Sequence, residues 1–282
     1  MKNSKDLSPE VSQENSKLSS ENSLQNSQFT QEMPADLQEK IANLQKFINE
    51  SSQIVFFGGA GVSTESGIPD FRSTDGLYNQ KWAYPPETIL SKTFFYSNPQ
   101  EFYRFYREKI LIQGIKPNAA HFKLAELEEK GKLCAVITQN IDGLHQAAGS
   151  KKVYELHGTT LKNYCIKCGA FYDINYILTN QDSQGIPRCA KKNCNGIIKP
   201  DVVLYEENLN EQTLNSAMQT ILNADMLIIG GTSLSVYPAA GLIRYFSGKH
   251  LVLINRDPTP SDSYSDLVIH GSIGKVLSQI KC

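Results

Sequence analysis

Four of the six cysteines fall in two close pairs, Cys165-x2-Cys168 and Cys189-x4-Cys194, separated by twenty residues. Thiolates at such spacing can wrap the two sides of one tetrahedral ion. Gly169 and Gly196, just after each pair, give the backbone freedom to turn tightly there. Four sulfur ligands leave no open coordination position, so the expected ion is a structural zinc, not a catalytic metal. Two disulfides would use the same four residues. They are disfavoured because Met1 to Glu10 holds no signal-peptide core, and stable disulfides belong to oxidising compartments.

A second set of reactive residue types gathers around glycines. Gly58-Gly59-Ala60-Gly61-Val62-Ser63-Thr64 follows a short apolar run at 53–57. Glycines after a strand let the backbone approach a pyrophosphate, and a following helix would offer its free N–H groups. The usual dinucleotide fingerprint has its third glycine where this chain has Thr64, so the turn alone reads equally as a nucleotide site or a plain tight turn. Next comes Glu65-Ser66-Gly67-Ile68-Pro69-Asp70-Phe71-Arg72, which sets an acid, an aromatic and a guanidinium on a proline-restricted loop. Gln139-Asn140-Ile141-Asp142 closes another apolar run, and a third, at 152–156, delivers His157-Gly158. Amide and carboxylate groups there could bond ribose hydroxyls or a carboxamide. A histidine at a strand end titrates in the range suited to proton transfer.

The elements that must position these residues alternate. Leu37, Ile41, Leu44 and Ile48 form one stripe of an amphipathic helix. The run at 53–57 suits a buried parallel strand, and similar runs recur at Leu133–Thr138, Met226–Gly230, His250–Asn255 and Leu267–His270. Helical patterns such as 119–130 lie between several of them. This alternation predicts an α/β fold with a Rossmann-like, doubly wound parallel sheet. Two segments interrupt it. Residues 78–106 hold 10 of the chain's 26 aromatics, and residues 161–200 hold the cysteine quartet. They predict a helical insertion and a smaller zinc-binding module.

Composition narrows the function classes. The 282 residues carry a formal net charge of −1, which argues against nucleic acid as the main partner. The segment 161–200 has six basic against two acidic side chains, a modest patch whose aromatics make no convincing platform for base stacking. No apolar run reaches the ~18 residues that cross a bilayer, so no membrane partner is expected and a cytoplasmic protein is. Residues 1–35 include 8 Ser, 4 Asn, 4 Gln and 4 Glu with scattered apolar side chains, the composition of a disordered polar tail.

Together these residues resemble the sirtuins, NAD-dependent protein lysine deacylases, and in particular their bacterial members. Gly59 to Arg72 is similar to the family's first signature. Gln139-Asn140-Ile141-Asp142, His157-Gly158, the cysteine quartet, Gly231-Thr232-Ser233 and Asn255 resemble later ones, in the same order. The resemblance covers residues 36–282. It implies a large domain of 36–160 and 201–282, a helical insertion at 75–117 and a zinc module at 161–200. It also implies that the acetyl-lysine carbonyl oxygen attacks C1′ of the nicotinamide ribose and expels nicotinamide. His157 would be the general base for a ribose hydroxyl, and Asn140 would hold the ribose. Ile141 and Asp142 would line the nicotinamide pocket. Gly59, Ala60, Gly61, Thr64, Asp70, Phe71, Arg72 and Gln139 would contact NAD, with Gly231, Thr232, Ser233, Asn255 and Ile273 toward the adenosine half. The products would be lysine, nicotinamide (also an inhibitor) and O-acetyl-ADP-ribose.

The same resemblance assigns acetylated protein substrates to a peptide-binding segment containing Val202, Val203 and Tyr205, faced by Ser235, Val236 and Tyr237. Family members usually carry glycine where this chain has Glu206, and two consecutive glutamates, Glu206 and Glu207, predict a preference for basic peptides. Members that remove succinyl or malonyl groups carry Tyr-x-x-Arg in the helical insertion. Here Tyr103 is followed at the fourth position by Tyr106, so an apolar acetyl channel is expected. ADP-ribosyl transfer to protein, removal of longer or acidic acyl chains, and a non-catalytic NAD-sensing zinc scaffold stand as alternatives. His121 and His145 are expected to be buried structural hydrogen-bonders, and Cys134 to be buried within its strand.

Overall fold

The computed structural model describes residues 34–73 and 76–282. All but the last two residues of the expected tail, 1–35, lie outside the described residues. The chain divides into two units, Met1–Glu39 and Lys40–Cys282. Helix α1 (Ala35–Glu50) begins in the first and continues in the second, where its apolar stripe buries Leu44 and Ile48.

The larger unit contains strands β1 (Ile54–Gly58), β2 (Leu133–Thr138), β3 (Val153–Glu155), β4 (Gly158–Cys165), β5 (Phe171–Asp173), β6 (Ile198–Val202), β7 (Met226–Gly230), β8 (His250–Asn255) and β9 (Leu267–His270). Six of them form one parallel sheet in the order β3-β2-β1-β7-β8-β9. β1 and β7 are buried along their whole length, as continuous apolar runs covered on both faces should be. The strand order reverses between β1 and β7, and in a doubly wound sheet the crevice for a ligand opens beyond the strand ends at that reversal.

A second, antiparallel sheet, β5-β4-β6, carries the cysteines. The aromatic segment folds as α2 (Pro86–Ile89), α3 (Lys92–Ser97) and α4 (Pro99–Phe105), followed by a π-helical turn at Tyr106–Ile110. Ser91 and Asn98 cap α3 and α4 by accepting from Phe94 N–H and Glu101 N–H. Phe95, Phe102, Tyr103, Phe105 and Tyr106 form its core, with Ile177, Ile186 and Ile198 of the cysteine-bearing segment packed in the same cluster. Helices α5 (Ala119–Glu129), α6 (Leu144–Ala147), α7 (Ile174–Thr179), α8 (Glu211–Leu222) and α9 (Ile273–Leu277) complete the described unit. None of the described helices is long and apolar enough to cross a membrane.

Candidate active site

The loops leaving β1 and β7 cross at backbone contact. Gly61 N–H donates to the Gly231 carbonyl at 2.8 Å, and Gly59 N–H to that of Gly230 at 3.2 Å. Gly231 sits at φ +60°, and a Cβ there would lie 2.4 Å from Val62 N. Only glycine permits both that conformation and that approach. The helix expected to follow the glycine-rich turn is not formed. Two short 3₁₀ turns, Ala60–Val62 and Thr64–Ser66, stand in its place, and the second ends at Gly67 with φ +91°. Pro69 follows two residues later, so the chain cannot continue as a helix.

Beyond this crossing lies a cavity of about 190 Å³. Gly59, Ala60 and Gly61 form one wall, and Asp70, Phe71 and Arg72 another. Gln139 and Asn140 come from the end of β2, Gly231, Thr232 and Ser233 from the end of β7, and Asn255 from β8. Thr64 and Ile273 line a neighbouring cavity of about 160 Å³, which shares Gly61, Gly231 and Asn255. The loops are cross-bonded. Gln139 Nε2 donates to Thr232 Oγ1 at 3.0 Å, and the Asn255 amide exchanges bonds of 3.0 and 2.7 Å with the Thr232 backbone. Glycine cradle and bonded rim together fit an elongated dinucleotide bearing phosphates. Sequence reading missed Arg256, which lines both cavities and pairs with Asp70 at 3.1 Å. A single arginine after a strand gave no signal of it.

His157 lines the larger of these cavities and also a third, of about 290 Å³. Its Nδ1 lies 2.9 Å from the Gln139 carbonyl oxygen. A carbonyl only accepts, so Nδ1 carries the hydrogen and Nε2 of the neutral ring is left as a base. Burial holds the imidazole below its ordinary pKa, opposed by that backbone bond, which favours the neutral base at physiological pH. Gly158, at φ +76°, explains why glycine follows. A Cβ there would stand 1.9 Å from Asp201 O, where β4 begins to pair with β6. The Asn140 amide donates to Ser63 Oγ at 3.1 Å, and Ser63 donates to Asp142 Oδ2 at 2.7 Å. Ser63 is the buried link between the two, and the sequence alone did not single it out.

Ile141 and Asp142 face the third cavity, with Val202, Val203 and Tyr205 on one wall and Val236 and Tyr237 on the other. Ser235 lines none of these cavities; its hydroxyl bonds to that of Ser233 at 2.6 Å. Leu90, Tyr106 and Ile110 of the aromatic insertion also line it, together with the charged Lys109 and, from the first loop, Arg72. No guanidinium takes the place of Tyr106. Arg104 pairs with Glu101, and Arg107 donates to the Gly185 carbonyl at 2.7 Å. The two glutamates are also engaged. Glu207 accepts from Lys199 Nζ at 2.9 Å and from Leu204 N–H at 3.0 Å, while Glu206 accepts from Thr93. Glu207 is thus paired with a cation, whereas Glu206, exposed and bonded to the uncharged Thr93, keeps its negative charge at the third cavity.

The four sulfurs of Cys165, Cys168, Cys189 and Cys194 lie within 4.8 Å of one another. The shortest separations, 3.6 Å for Cys165 with Cys194 and for Cys168 with Cys189, are too long for disulfides. They match the spacing of about 3.8 Å between thiolates around one tetrahedral zinc. Three expectations need adjusting. His121 is buried and accepts from Asn118 N–H at 3.2 Å, but its Nε2 and both nitrogens of His145 have no partner. The two rings instead pack against each other, centroids 4.8 Å apart. Cys134, third, is half-buried and bonds Gln53 Oε1 at 3.0 Å, since the strand end leaves its sulfur near the surface.

A model described as the Sir2 family matches residues 59–238. An NAD-dependent protein deacetylase of Clostridium acetobutylicum is 57% identical over 246 residues, covering 86% of this chain and 99% of that protein. One from Clostridium perfringens is 58% identical over 247 residues with the same coverage. A solved structure of Sir2 bound to acetylated peptide is 40% identical, with a TM-score of 0.76, covering 85% of this chain and 96% of that one. A Sir2–p53 peptide–NAD⁺ structure is 41% identical with a TM-score of 0.75 and the same coverage.

Proposed function

The chain belongs to the Sir2 family and is an NAD-dependent protein deacetylase, and on that premise we propose how its own residues divide the reaction. NAD, when bound, supplies a nicotinamide-ribose C1′ that can accept the acetyl oxygen as nicotinamide departs. His157 is the general base. Its Nε2 takes a proton from a ribose hydroxyl while Nδ1–H stays on the Gln139 carbonyl, and that fixed tautomer is the observation that carries this assignment. Asn140, held through Ser63, orients the ribose, and Asp142 with Ile141 encloses the nicotinamide end. Gly59, Ala60, Gly61, Asp70, Phe71, Arg72 and Gln139 hold the pyrophosphate and ribose. Thr64, Gly231, Thr232, Ser233, Asn255 and Ile273 take the adenosine half. Zinc on Cys165, Cys168, Cys189 and Cys194 offers no free position and stabilises the second sheet.

Val202, Val203 and Tyr205 with Val236 and Tyr237 take an extended acetyl-lysine peptide, and Ser235 acts only through Ser233. Tyr106 in place of a guanidinium favours acetyl over acidic acyl groups. Nicotinamide is product and inhibitor, nucleic acid is not the main partner, and unpaired thiols suit a cytoplasmic location. Mass spectrometry of products from NAD and a panel of acyl-lysine peptides tests this reading. Free lysine, nicotinamide and O-acetyl-ADP-ribose from the acetyl peptide are expected. ADP-ribosylated protein, or NAD left intact, would overturn it.

A further inference from the structure

The loop between β6 and α8 holds a side-chain-bearing residue in a conformation that suits glycine. Glu206 stands at φ +73°, in the left-handed region that a side chain occupies only at a cost and that glycine occupies freely. Such a conformation persists where surrounding contacts over-determine it. Here a single carboxylate oxygen, Oε2, accepts from both Thr93 N–H at 2.9 Å and Thr93 Oγ1–H at 2.6 Å. Alongside, Tyr205 N–H donates to the Leu90 carbonyl and Lys92 N–H to that of Tyr205, each at 3.0 Å, and the hydroxyls of Tyr78 and Tyr205 bond to each other. The loop that faces the peptide is thus fastened to the insertion that walls the acyl channel. Two residues earlier, Val203 N–H donates to the carbonyl of His157 itself at 2.9 Å.

We propose that Glu206 is a positioning residue: by clasping Thr93 it fixes the 203–207 loop against the helical insertion, so that the acetyl-lysine channel is already shaped before substrate arrives. The proposal rests on the deacetylase reading for its kinetic consequence and on the Glu206–Thr93 geometry for its existence. Without the clasp, part of the peptide's binding energy goes into ordering the loop, which weakens peptide binding and leaves the cofactor side untouched.

The deciding variant is Glu206→Gly, because glycine keeps the backbone conformation without strain while removing the clasp, and Glu206→Gln separates the clasp from the charge lost with it. On the full chain, KM for an acetyl-lysine peptide is expected to rise ~3–10-fold, with kcat and KM for NAD within about twofold. Glu206→Gln should retain near-wild-type kinetics, because one amide oxygen can accept both Thr93 bonds. Thr93→Ala, which removes the hydroxyl and the γ-methyl but keeps the backbone N–H bond, should fall between. Hydrogen exchange without substrate should speed up over 203–209 and 90–95 in Glu206→Gly and stay slow in Glu206→Gln. Wild-type peptide KM and wild-type exchange in Glu206→Gly would overturn the proposal. So would Glu206→Gln behaving like Glu206→Gly, since charge and not the clasp would then be at work. If the wild-type protein forms no deacetylated peptide, the deacetylase reading fails instead, and the exchange measurement still decides the clasp.

Discussion

Where β1 and β7 end, two loops meet through backbone atoms, with Gly61 N–H on the Gly231 carbonyl and no room for a Cβ between them. Across His157 the other half of the cleft is assembled differently. Its walls come from the insertion, the 202–207 segment and Val236–Tyr237, held by side chains such as Glu206, Glu207 and Lys199. The first half is pinned where two glycine loops cross without a Cβ between them, and in the second side-chain bonds add to the backbone ones. The backbone-built half has little freedom to adapt and suits a fixed co-substrate. The half built from side chains can change its occupant through single substitutions.

The contrast can be broken at its supports. Chelating the metal should have the largest effect, because the sheet β5-β4-β6 begins at Gly158, directly after His157, and ends at Val202 in the substrate wall. Deacetylation is expected to fall to background while NAD still binds, measured by turnover and calorimetry on the same sample. Unchanged melting after verified metal loss would mean the quartet does not support the substrate half. His157→Ala comes next, with turnover down ~10²–10⁴, the usual worth of a positioned acid–base group. Because the loss is of proton transfer, neither the NAD nor the peptide dissociation constant should change by a comparable factor.

Gly231→Ala should act on one half only. Its methyl would meet Val62 N at 2.4 Å in a left-handed conformation, strain worth about 1–3 kcal/mol, so NAD affinity should drop roughly 10–100-fold. Isothermal titration with NAD, compared with peptide binding, would read the asymmetry; equal losses would show that the halves are not separable. The smallest effect is on acid stability. Burial lowers His121 to about 4 and His145 to about 3, from 6.5. Below pH ~6.5 the unfolded chain therefore binds protons that the native chain refuses, so stability is fully present above that pH and declines as pH falls toward 4 and then 3. Urea midpoints measured across that range should fall, and His145→Phe should flatten the decline; a parallel decline in the variant would assign it to other groups.

Much of the cofactor half was legible because glycine, proline and strand-end polar residues are locally constrained. Gly59 and Gly61 can be read from the types of their neighbours and His157-Gly158 from its strand, whereas Gly231 entered only through the family resemblance. Arg256 and Ser63 were not legible. A lone arginine after a strand and one serine among many acquire meaning only when β8 and the first loop are brought beside Asp70 and Asp142. The expected helix after Gly61 also failed, because Gly67 and Pro69 cut it to 3₁₀ turns.

On the substrate side the sequence offered two adjacent carboxylates and a charge argument. Folding brought Lys199 to Glu207, pairing one charge, and Thr93 to Glu206, fixing the other without neutralising it. By itself the sequence determined the parallel sheet, the thiol quartet and the glycine-rich turn after β1, because each follows from periodicity, spacing or the absence of a Cβ within a few residues. Which side chains meet across the cleft was decided by tertiary structure alone, since residues as far apart as 93 and 206 become neighbours only once the insertion has packed.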